Sequence, residues 1–160
     1  MKDELKRIAD ETHLELGKIS NWINSNKLDF KVTYLNAYSV IKASGTIERI
    51  FKSMIYDRMS EGANDETCHY LTKKILDASY NVSFKKIQNI LEGINPEWFK
   101  ELKSRVSQKN NLQNDLNSLI QLRNTFAHGN SINESIDTII GYYESGMLVL
   151  EELDKVINNQ

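Results

Sequence analysis

The sequence predicts an all-α protein, an up-and-down helical bundle with three or four long helices and a short-helix insertion, and three observations predict it. Apolar residues recur near the 3.6-residue period through most of the chain. Breakers are sparse, with one proline and seven glycines in 160 residues. No two alternating apolar runs are joined by a hairpin turn signal. The expectation is a single domain over residues 1–160, long enough to bury about two thirds of its unfolded surface around one core. No linker, internal repeat or low-complexity segment interrupts it.

Residues 3–24 carry Leu5, Ile8, Ala9, Leu16, Ile19 and Ile23 at helical spacing and predict a first amphipathic helix. The stretch Phe30 to Tyr34 alternates briefly like a strand. The pattern then continues to Met59 with only Gly45 as a break, so one long helix is expected there. Two apolar stripes run along it. Val40, Ala43, Ile47, Ile50 and Met54 form one; Ala37, Ile41, Ile55 and Met59 form the other, with Glu48 falling inside it. A helix apolar on two sides is a central helix. After a polar turn at 60–65, shorter helices are expected near 66–79, 83–93 and 96–108, the last with Asn95 as N-cap and Pro96 at N1. A long helix from about 111 to 128 follows. The last runs from 132 to 157, with Ile132, Ile136, Ile139, Ile140, Tyr143, Met147, Leu150, Leu153 and Ile157 on one side. Ser131-x-x-Glu134 has the form of a capping box for its start.

Composition narrows the function. A net charge of -2 excludes a protein that coats nucleic acid indiscriminately. The charge is uneven, with eight Lys or Arg against four acids from Lys73 to Lys109, and one Lys against six acids from Gly129 to the end. A basic middle could track phosphates, although two ordinary solvated faces explain the same counts. The single Cys68 allows no internal disulfide. With no Cys pair or His cluster at ligand spacing, no structural metal and no cofactor are expected. The N-terminal Met1 to Arg7 mixes charges without an apolar leader core, and no apolar run reaches membrane-spanning length, so the expectation is a cytoplasmic protein without membrane contact.

The segment Arg123-Asn124-Thr125-Phe126-Ala127-His128-Gly129 carries the most chemistry. Leu112, Leu116, Leu119 and Phe126 form an apolar stripe, and at about 100° per residue Arg123 falls within roughly 20° of its centre. A leucine would be the ordinary occupant. A guanidinium keeps its proton, so burying it demands an anionic partner or an anionic ligand. His128 lies about 140° further round, with Asn124 four residues before it, so the three line one edge of the helix. Gly129 is placed to end that helix as its C′ residue.

This segment resembles the Arg-x4-6-His signature of the HEPN superfamily, compact helical domains of prokaryotic toxins and antiphage systems. The asparagine directly after the arginine and the terminal Ala-His-Gly strengthen the likeness. So does the position of the motif at the end of one long helix before another. Ala43 to Glu48 resembles the polar patch with an acid that many members set near the motif. The resemblance implies a metal-independent endoribonuclease acting as a homodimer, with two motifs meeting in a shared cleft. It implies catalytic roles for Arg123, Asn124 and His128 and a supporting one for Glu48. RNA is then the substrate. In HEPN toxins silenced by a nucleotidyltransferase antitoxin, a tyrosine stands two residues after the histidine. Here that residue is Asn130, so this regulation is not expected. The resemblance points instead to stand-alone or operon-linked toxin or antiphage members, which work alone or with an antitoxin or other operon-encoded partner.

Blander readings stand beside these. Arg123 could form a buried ion pair with Glu48 that holds two helices in register, and His128 could simply bond the last carbonyls of its helix. Glu48 itself is read as structural. His13 and His69 are expected on the solvated surface and Cys68 as a small hydrophobe. Tyr142-Tyr143 and Trp98-Phe99 could stack bases, but at helical spacing they are read as core. Two other function classes remain: a non-catalytic HEPN module that binds a nucleotide or a partner protein, and an unrelated helical scaffold. The intact Arg-Asn-x3-His string favours the ribonuclease.

Overall fold

The computed structural model describes residues 1–159. Seven helices follow in order: α1 (Asp3–Ser25), α2 (Lys31–Ser60), α3 (Asp65–Leu71), α4 (Phe84–Ile94), α5 (Pro96–Ser107), α6 (Leu112–Ala127) and α7 (Ile136–Ile157). No strand occurs among the described residues. The four long helices α1, α2, α6 and α7 pack on one another, while α4 and α5 pair and lean on α6 and α7. The all-α bundle with a short-helix insertion is therefore the observed architecture.

α2 is the central helix because its apolar residues cover more than one side. Val40, Ala43, Ile47, Ile50, Phe51 and Ile55 are wholly enclosed, each such larger side chain contributing about 1.5–3 kcal/mol by burial. α1, α6 and α7 cover it. Gly146 permits the close approach of α7, since a Cβ there would stand 2.4 Å from Ile47 Cδ1. The expected second stripe is only partly core. Ala37 and Ile55 are buried, but Ile41 is 41% exposed, at the edge of a cleft between α2 and α6. Two polar contacts that periodicity does not reveal tie α1 into the bundle. Thr12 and Thr46 share a buried hydroxyl bond of 2.9 Å, and Ser20 donates to Asp137 Oδ1 at 2.9 Å.

Local chemistry explains the helix ends. Asn64, Ser83 and Asn95 accept from the backbone N–H of Thr67, Lys86 and Glu97 and so cap α3, α4 and α5, with Pro96 at the first position of α5 as expected. α3 is shorter than the 66–79 expectation. Its continuation, Thr72–Leu76, winds as one π-helical segment closed by the Asp77 N–H donating to the Thr72 carbonyl, after which the chain runs without helix to Ser83. The capping box at Ser131 is also corrected. Ile132 is buried and the Glu134 carbonyl accepts from Asn36 Nδ2 at 3.1 Å, which holds 130–134 outside the helix. Ser135 caps α7 instead, accepting from the Thr138 N–H at 3.1 Å.

Charge pairing also revises the basic middle. Lys73, Lys100, Arg105 and Lys109 are each within 2.7 Å of a carboxylate, so half of the eight cations counted there are already neutralised. The tightest cluster surrounds the buried Glu152. Lys109 Nζ and Lys155 Nζ lie 2.7 and 2.8 Å from its Oε1, and Arg105 stands 3.7 Å from Oε2. The hydrogen bonds from Lys109 and Lys155 bring its carboxyl down to about 2. A depressed folded-state value means that the stabilisation is fully present above the ordinary value of 4.5 and is lost as pH falls through about 2. Discounted for the water that reaches the cations, it amounts to about 1–2 kcal/mol. Glu152→Gln is accordingly expected to lower the thermal midpoint at pH 7 by about 2–8 °C. In melts followed by circular dichroism, the gap from wild type should narrow progressively below pH 4.5; a gap independent of pH would contradict this account.

Candidate active site

α6 carries the candidate residues on its final turns. Its end is built by the backbone. Gly129, at φ +82°, takes the left-handed conformation that a side chain disfavours. Its N–H donates to the Phe126 carbonyl at 2.9 Å and that of Asn130 to the Thr125 carbonyl at 3.1 Å. These two bonds form a Schellman motif. His128 is the C-cap, its N–H donating to the Asn124 carbonyl at 3.0 Å. Its side chain is exposed. The backbone therefore closes the helix without the imidazole, which is left to solvent or to a ligand.

Arg123 is half-buried rather than enclosed. The stripe that was expected to bury it ends early: Leu112, Leu116 and Leu119 are in the core, but Phe126 is 41% exposed. Arg123 thus stands where the stripe leaves the core and lines a narrow cleft of about 110 Å³ with Ser44, Glu48, Asn81 and Ile120. The ion pair with Glu48, the blander alternative for this arginine, is not formed. Glu48 binds Lys52 one turn along α2, with Nζ 2.5 Å from Oε1, because that lysine shares its helix face and needs no reach across the cleft. Among the described residues the Arg123 guanidinium has neither a carboxylate partner nor a hydrogen bond. A half-buried cation in a cleft without a counter-ion suits an anionic ligand.

Asn124 is fixed by a residue outside the motif. Its Oδ1 accepts from Asn81 Nδ2 at 2.5 Å. Asn81 belongs to the non-helical segment after the π-helical turn, and its neighbours are anchored. Val82 is enclosed, and Lys52 Nζ and Lys86 Nζ lie over the Tyr80 ring, 4.8 and 4.6 Å from its centre. Among the described residues the buried Tyr80 hydroxyl has no hydrogen-bond partner. Burial, helped by the Glu48 carboxylate, pushes that phenol up to about 12, so it is a neutral hydroxyl at ordinary pH. The site as folded therefore joins α2, α6 and the 77–83 segment. Arg123, Asn124 and His128 share α6; Glu48 faces the same cleft but is neutralised by Lys52. Asn81, Tyr80, Lys52 and Lys86 are the additions that sequence reading did not single out. No periodic or motif signal marks them, since only the tertiary path of the 77–83 segment brings them to α2 and α6.

The other side chains considered lie elsewhere. His13 and His69 are exposed, His13 standing 3.7 Å from Glu144. Cys68 is half-buried. Phe99 and Tyr143 are core residues, with the Tyr143 hydroxyl donating to the Ala9 carbonyl at 2.9 Å; Trp98 and Tyr142 pack against the core. None of these four aromatics forms an open stacking platform. Among the described residues no group of three or more His, Cys, Asp or Glu is placed to hold a metal, and no helix is long and apolar enough to cross a membrane. The RiboL-PSP-HEPN family model matches residues 6–159, whereas no curated protein and no solved structure matches the chain.

Proposed function

We propose that this chain, which belongs to the RiboL-PSP-HEPN family, is a metal-independent endoribonuclease of the toxin or antiphage type that works as a homodimer. Membership supports the coarser statement, a ribonuclease-type or nucleotide-binding HEPN module. The observation that carries the finer one is Arg123, a half-buried cation without a carboxylate partner among the described residues, on the same helix end as an exposed histidine.

RNA can be cut without a metal when a base removes the 2′-OH proton, the 2′-oxygen attacks the adjacent phosphorus, and an acid protonates the departing 5′-oxygen. A cation and hydrogen-bond donors must stabilise the phosphorane between these steps. In this reading Arg123 meets the non-bridging oxygens and Asn124 donates from its amide. The motif has one histidine. Two copies of His128 across a two-fold axis divide the base and acid roles. Exposed apolar side chains near the site favour such pairing: Tyr34, Tyr38 and Ile41 follow one face of α2 toward the cleft, and Phe126 stands about one turn beyond Arg123 on α6.

The test is purified protein incubated with total RNA in EDTA, with light scattering on the same sample. The expected products are 2′,3′-cyclic phosphate and 5′-hydroxyl ends from a particle of about twice 18.5 kDa. Cleavage that disappears with EDTA would remove the mechanism, and a monomer that cleaves would remove the composite site. Nucleotide binding with no cleavage at all would leave a non-catalytic module.

A further inference from the structure

We infer that Asn81 is a positioning residue for the cleft: by donating to Asn124 Oδ1 it fixes the Asn124 amide with both N–H donors free for a phosphate or ribose oxygen of the RNA. The inference rests on the ribonuclease reading above and deepens it.

An asparagine side chain ends in one acceptor and one NH₂ group of similar size, and packing alone scarcely chooses between the two orientations. The choice matters beside Arg123. Facing a phosphate, the NH₂ edge adds donors to those of the guanidinium, whereas the carbonyl edge opposes one partial negative charge to another. Asn81 makes the choice by occupying the carbonyl at 2.5 Å. It can do so reliably because its own backbone is held on both sides. Two lysine ammonium groups rest on the Tyr80 ring, Val82 is enclosed, and the Ser83 N–H donates to the Asn81 carbonyl at 2.9 Å. One residue further, the Phe84 N–H donates to Asn117 Oδ1 of α6 at 3.0 Å. The segment is thus tied to the helix that carries the motif. A donor preset in this way spares the ordering cost that a free rotor pays on binding.

The experiment compares Asn81→Ala, Asn81→Asp, Asn124→Ala and the double alanine variant in kcat and KM on a ribo-oligonucleotide, in thermal midpoint, and in the ¹⁵N–¹H resonances of the side-chain amides. Asn81→Ala is expected to lower kcat by about tenfold with the midpoint held within about 2 °C, and to add nothing in the Asn124→Ala background. Asn81→Asp should cost more. An aspartate can only accept, so the Asn124 amide must turn its NH₂ toward it and present its carbonyl to the ligand. An Asn81→Ala cost that is equal in both backgrounds, or a midpoint that falls in step with the rate, would overturn the inference. A wild-type protein that cleaves no RNA would remove the ribonuclease reading, and the amide resonances would still decide this point. The Asn81 amide should be the bonded, slowly exchanging one, and in Asn81→Asp that signature should pass to Asn124; a wild type in which the Asn124 amide carries it would overturn the assignment.

Discussion

Replacing His128 by alanine is expected to slow RNA cleavage by about 10²- to 10⁴-fold while leaving the thermal midpoint unchanged. The midpoint should hold because the helix end depends on Gly129 and on backbone bonds from Gly129 and Asn130, and because the imidazole is exposed. The size of the loss follows from one histidine per motif. If both copies serve a single cleft, one as base and one as acid, a dimer with one alanine lacks one of the two proton transfers. Mixed dimers should then be nearly as slow as the doubly substituted ones. When wild type and His128→Ala are unfolded, mixed and refolded together, activity should fall as the square of the wild-type fraction. A linear fall would show that each chain works alone. Equal activity of the pure variant and wild type would remove His128 from the chemistry.

Much of this fold was legible because helical period and capping chemistry agree over most of the chain. α1, α2, α5 and α6 lie within a residue or two of their expected spans, and Asn95-Pro96 starts α5 as its residue types dictate. What escaped depends on tertiary contacts. Ser131-x-x-Glu134 has the letters of a capping box, but the Asn36 side chain takes the Glu134 carbonyl and delays α7. Phe126 and Ile41 have apolar spacing, yet each is 41% exposed where a stripe runs past the edge of the core. Period reveals a face and cannot tell whether anything covers it. The site divides in the same way. Arg123, Asn124 and His128 were legible as a local string on one helix end. Asn81 was not, since it stands 43 positions from Asn124 in sequence and reaches it only after the π-helical turn. Glu48 was legible as an acid near the site, but its partner is the local Lys52 rather than the distant arginine.

That last difference sets what Arg123→Met should do. Had the arginine balanced Glu48, methionine would have stranded a carboxylate and cost several kcal/mol. With Glu48 already held by Lys52 at 2.5 Å, no charge is stranded. A half-buried cation is exchanged for an apolar side chain that replaces its aliphatic stem at the end of the apolar stripe, so the midpoint should stay level or rise. Cleavage should fall by about 10²- to 10³-fold, the scale for removing one preorganised group from a developing oxyanion. Binding of an uncleavable 2′-deoxy oligonucleotide gives an independent measure. Losing one phosphate contact should make the slope of log K against log salt shallower by about 0.7, the value for single strands. Glu48→Gln should behave differently, because it removes a negative charge from the wall of the cleft that Arg123 lines. It frees Lys52, lowers stability slightly, and tightens oligonucleotide binding. The double variant should remain inactive. Recovery of cleavage in it would mean that the arginine served only to offset the glutamate, and the phosphate contact would have to be sought elsewhere in the cleft.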